Sequence, residues 1–60
     1  MNLRERFLKI YANLPLALRN EIILVLNDEP ISWKVAYIEV YNNSEKSIKI
    51  IKRLEELKII

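Results

Sequence analysis

Two different spacings of apolar residues run along this chain, and the change from one to the other marks its elements. Leu3, Phe7, Ile10, Tyr11 and Leu14 recur at i, i+4, i+7, i+8 and i+11, which is one face of a helix. Arg4, Glu5, Arg6 and Lys9 cover the other faces. Asn2 suits an N-cap, and Glu5 stands three residues later, as in a capping box. Pro15 disfavours helical geometry at Leu14, so the first helix is predicted to stop near Asn13.

The helical spacing is lost over Glu21 to Trp33. Five consecutive apolar residues, Ile22 to Leu26, precede the turn formers Asn27, Asp28, Glu29 and Pro30, and a short apolar return follows through Ile31 to Ser32. Such a run fits a strand buried on both faces or a stretch of buried helix. The run is short, Ile22, Ile23 and Val25 are β-branched, and Pro30 lacks a donor where the chain should reverse, so a hairpin is predicted. In the competing reading Pro15 opens a helix that continues through Leu26, giving an all-α protein of four short helices. That helix would be apolar all round, and a chain of 60 residues can rarely surround one.

Helical spacing returns at Ser32, a natural N-cap, with Trp33, Ala36, Tyr37, Val40 and Tyr41 at i, i+3, i+4, i+7 and i+8. Val35, Tyr37, Ile38, Val40 and Tyr41 prefer strands, so this second helix must rely on packing. Asn42 and Asn43 stop it, and Ser44 caps a third helix running to about Leu57. There Ile48, Ile50, Ile51, Leu54 and Leu57 share one half of the wheel, opposite Lys46, Lys49, Lys52 and Arg53. The predicted fold is therefore a single small α+β domain spanning 1–60, in the order α-β-β-α-α, with the first and third helices packed on the hairpin and the second following directly from its second strand.

Composition narrows what this fold can do. The chain has no Cys and no His, so neither disulfides nor a structural zinc site can support so small a core. The common nucleophile and base pairs cannot be assembled, and an enzyme is not expected. With no Gly, phosphate-cradling loops are excluded, and no cofactor is expected. Asp28 and Glu29 read as turn chemistry rather than as a cation site.

A 52% hydrophobic content is more apolar material than one small core easily hides, which points to a partner surface. A free hairpin edge would serve the same end, and a two-stranded sheet is marginal alone. Self-association as a dimer, or binding of another protein, is the favoured reading, through Ile23, Val25, Trp33, Tyr37, Ile59 and Ile60. The line Trp33, Tyr37, Tyr41 is read as a core-edge stripe before a base-stacking platform.

The net charge of +2 is unevenly spread: residues 1–20 carry +3, 21–43 carry −3 and 44–60 carry +2. Lys46, Lys49 and Arg53 form a compact basic patch on the third helix and are the candidate nucleic-acid contacts. No apolar segment spans a membrane, Arg4, Glu5, Arg6 and Lys9 break any signal-peptide core, and a cytoplasmic location is expected. Abundant Ile, Lys and Glu without Gly, Gln or Thr lean towards a thermophile, against which six Asn residues weigh.

The tail from Lys49 to Ile60, with its Leu-x-x-Leu and closing Ile-Ile, resembles the end of a recognition helix in winged-helix proteins. That resemblance implies nucleic-acid binding. It departs from the pattern where Val40 stands in place of the usual Gly, and no residues remain for a wing. Leu14-Pro15, Ile31-Ser32-Trp33, Ala36-Tyr37 and Asn42-Asn43-Ser44 together resemble small uncharacterised archaeal proteins, which implies an archaeal source and no particular activity.

Overall fold

A computed structural model describes residues 2–60. Its elements are α1 (Leu3–Ala12), a 3-10 turn (Leu16–Leu18), β1 (Ile22–Leu26), β2 (Glu29–Ser32), α2 (Trp33–Tyr41) and α3 (Glu45–Glu56). The order α-β-β-α-α and the α+β class are as the sequence predicts. Residues 16–26 contribute one 3-10 turn and a strand, so the four-helix alternative does not hold.

Local chemistry sets the helix boundaries. The Asn2 side chain accepts a hydrogen bond from the Glu5 N–H, the Ser32 hydroxyl from Val35 and the Ser44 hydroxyl from Ser47. Each satisfies one of the donors that a first helical turn leaves free. Both later helices end in the same way. At the end of α2 the Ser44 N–H donates to the Glu39 carbonyl and the Asn43 N–H to Val40; at the end of α3 the Ile59 N–H donates to Leu54 and the Lys58 N–H to Glu55. These paired bonds are Schellman motifs, which place one residue in the left-handed region. In a chain without Gly that residue is Asn43 (φ 52°) and Lys58 (φ 59°).

Lys58 is the costlier of the two, because a lysine tolerates the left-handed region less readily than an asparagine. Lys58→Gly is expected to stabilise the fold by about 0.5–1 kcal/mol, read as a higher urea midpoint at unchanged slope. Ser44 lies at the junction of α2 and α3, where it caps α3 and its hydroxyl also donates to the Glu39 carboxylate. Ser44→Ala is expected to lower stability by about 1–2 kcal/mol in the same measurement.

The hairpin turns on two residues, Asn27 (φ 51°) and Asp28 (φ 66°), both left-handed as a type I′ turn requires. Glu29 and Pro30, expected in the turn, belong instead to β2, where Glu29 faces Leu26 and Pro30 faces Val25. Residues flanking a two-residue turn form a hydrogen-bonded pair, so Val25 and Pro30 form the next, non-bonded pair. The missing N–H of Pro30 would therefore have pointed out of the sheet, and β2 accepts proline without losing a ladder bond. The register slips at Ile23, an extra residue between the Ile22–Ser32 and Leu24–Ile31 pairs.

The three helices touch one another, and the hairpin joins them chiefly where β2 runs directly into α2. That direct passage is as expected, but the continuity of backbone through Ser32 makes α2, rather than the first and third helices, the nearest neighbour of the hairpin. Phe7, Ile31, Ala36, Val40, Ile50 and Leu54 are fully enclosed, with Tyr11, Leu24 and Ile51 at the margin of the same core. On α3 the inward face is Ser47, Ile50, Ile51 and Leu54, so Ile48 and Leu57, assigned inward from the wheel, lie exposed at its flanks. Ser47 is accommodated because its hydroxyl donates to the Ser44 carbonyl at 2.6 Å.

Candidate interaction surfaces

Three surfaces follow from this arrangement. The first is the hairpin. Of the five apolar residues of β1 only Leu24 is buried; Ile23 and Leu26 are half-buried, and Ile22 and Val25 are exposed at 56% and 62%. Among the described residues the two-stranded sheet has both outer edges free of a neighbouring strand. The edges are not equivalent. Pro30 removes a donor from the β2 edge, whereas Val25, in a non-bonded pair, turns its N–H and C=O away from β2 towards the open side of β1.

The second surface is a groove between α1 and α2 of about 580 Å³, built on aromatic side chains. Tyr11 and Tyr37 stack with ring centroids 4.3 Å apart and planes within 10°, and Tyr41 follows 5.9 Å from Tyr37. The Arg19 guanidinium lies over the Tyr11 ring at 4.6 Å, a cation–π contact, and its Nη2 donates to the Tyr11 carbonyl. Arg19 is brought there by a second exchange: its own carbonyl and that of Glu21 accept the N–H groups of Lys34 and Trp33, the first two donors of α2. A smaller groove adjoins it, sharing Tyr11 and Arg19 and adding Leu16, Asn20 and Lys34.

The third surface is α3. Lys46 forms an ion pair with Glu29 of β2, tying α3 to the hairpin, and Arg53 pairs with Glu56 one turn along its own helix. Of the basic patch predicted from sequence, Lys49 alone stands outside the ion pairs among the described residues. An apolar groove of about 460 Å³ lies on another side of α3, between Leu3 and Ile48.

The six residues singled out for self-association divide accordingly. Val25 lies open on the hairpin. Ile23, Trp33, Tyr37, Ile59 and Ile60 are half-buried and packed against the core. Trp33 leans on Phe7 with ring centroids 5.9 Å apart, and the turn at Lys58 folds Ile59 and Ile60 back over α3. Sequence reading missed Ile22, Ile48 and Tyr41 as exposed residues, at 56%, 68% and 65%, and gave Arg19 no role. For Tyr41 a signal existed, since it ends the helix next to two polar residues. For Arg19 none did, because its partners lie on other elements. No group of three or more Asp and Glu side chains gathers as a metal site among the described residues, and no helix among them is long and apolar enough to cross a membrane.

Compared with family models, curated proteins and solved structures, the chain has no match in any of the three.

Proposed function

We infer that this protein is a small self-association module, in which β1 of one copy pairs antiparallel with β1 of a second. The observation that carries this reading is the open edge of β1, an uncharged strand in which Val25 is 62% exposed. A two-fold axis through Leu24 would set Ile23 opposite Val25 of the second copy and Glu21 opposite Asn27, so no like charges meet. The product is a four-stranded sheet with order β2-β1-β1-β2, a more stable unit than either hairpin. Its outer edges are both β2, which Pro30 blunts, so growth stops at the dimer.

One short strand from each copy makes a small interface, which places the dimer among weak and transient ones. Mass in solution, measured by sedimentation at tens of micromolar, tests the proposal. A dimer that dissociates on dilution is expected. A species that stays at 7.2 kDa at the highest concentrations, and withstands heating, would show that one chain buries its own surplus and would end this reading.

A further inference from the structure

The groove between α1 and α2 and the smaller one beside it form one trough around Tyr11 and Arg19, and two features of this trough point to a ligand. The first is charge. The residues lining both grooves include two cations, Arg19 and Lys34, and no carboxylate. Among the described residues neither cation takes part in an ion pair, in contrast to Lys46 and Arg53 on α3. Arg19 is also held still: its guanidinium is stacked on Tyr11 and hydrogen-bonded to the Tyr11 carbonyl, so little side-chain freedom remains to be lost on binding. The second feature is aromatic. Tyr11, Tyr37 and Tyr41 form a series, and Tyr41 at its end is 65% exposed, with no further ring beyond it among the described residues.

A cationic channel that runs beside an open aromatic ring is the arrangement by which proteins hold unpaired nucleotides: phosphates lie on the cations and a base stacks on the ring. We propose that this trough binds single-stranded nucleic acid, with a base on Tyr41 and the neighbouring phosphates at Arg19 and Lys34. An acidic polypeptide would use the cations but gain nothing from the ring, which is the reason for choosing the nucleotide. Duplex DNA cannot offer a base face to Tyr41, so the contact is specific to unpaired strands. The site shares no lining residue with the α3 patch of Lys46, Lys49 and Arg53 and does not depend on self-association through β1.

Fluorescence anisotropy of a labelled oligouridylate, titrated with the protein at low salt, tests the site. Saturable binding is expected, with a log–log salt slope of about −1.4 for two phosphate contacts on a single strand. Tyr41→Leu keeps the apolar bulk of an exposed position and should weaken binding about tenfold. Lys34→Gln should halve the salt slope, while Lys49→Gln should leave both affinity and slope unchanged. Circular dichroism of each variant confirms that the fold is kept. No anisotropy change at low salt overturns the proposal. So does a Tyr41→Leu variant that binds like the parent, or a polyglutamate that competes as well as an unlabelled oligouridylate, since either result would reduce the trough to a generic cationic surface.

Discussion

Phe7→Ala is expected to remove a large share of the stability of the fold. Phe7 is fully enclosed, with its ring 6.3 Å from Tyr11 and 5.9 Å from Trp33, so it joins α1 to the start of α2. Removing a buried Phe side chain costs about 3–5 kcal/mol, part of it for the cavity left behind. At the usual stability per residue, a chain of this length holds only about 3–9 kcal/mol in all. There is no disulfide to limit the unfolded state. A urea series followed by far-UV circular dichroism should show a midpoint lowered in that proportion at unchanged slope. A variant that kept a cooperative transition within about 1 kcal/mol of the parent would mean that the core repacks around the gap.

Val25→Lys is the second large effect, and it acts on assembly rather than on folding. Val25 is 62% exposed and faces Pro30 across the hairpin, so the lysine side chain can reach solvent without disturbing Leu24 or Ile31. In the proposed dimer the same position lies in the pairing edge, where two ammonium groups, one from each copy, would be brought near the two-fold axis. Charged residues on a free strand edge are the means by which natural sheets avoid further pairing. The expected result is a shift of the monomer–dimer equilibrium by at least about a hundredfold towards monomer, roughly 2.7 kcal/mol, with an unchanged circular dichroism spectrum. Ile48→Glu, equally exposed but on α3, should leave the equilibrium as it was. If the lysine variant still dimerises and the glutamate variant does not, the interface is the groove of α3 and not the strand edge. Because a dimer makes apparent stability depend on concentration, the Phe7 comparison is made at matched concentration.

Both results depend on which apolar residues face inward, and here the reading from sequence was uneven. On α1 the stripe carried enough polar residues between its apolar ones to fix its phase, and Phe7 and Tyr11 point inward as predicted. On α3 the apolar positions covered half the wheel, too broad to say which edge would meet α2. The structure settles this by turning Ser47 inward and Ile48 outward. In β1 an unbroken apolar run has no phase at all, and the extra residue at Ile23 shifts the alternation within it. Which of these five residues face outward could not have been read from the sequence.

Several features needed only neighbours along the chain. Asn2, Ser32 and Ser44 cap the helices they precede, and Asn27-Asp28 makes the hairpin turn, because these side chains and backbones act within three or four residues of themselves. Element order and fold class follow from such local signals. The surfaces do not. The β1 edge is open because no third strand among the described residues folds against it. The Tyr11–Tyr37 stack and the placement of Arg19 require α1, the 3-10 turn and α2 to meet, with the carbonyls of Arg19 and Glu21 serving the first donors of α2. Contacts between segments far apart in sequence are decided by how the helices and hairpin pack, and packing depends on shape and volume in three dimensions, which the spacing of residues along the chain does not encode.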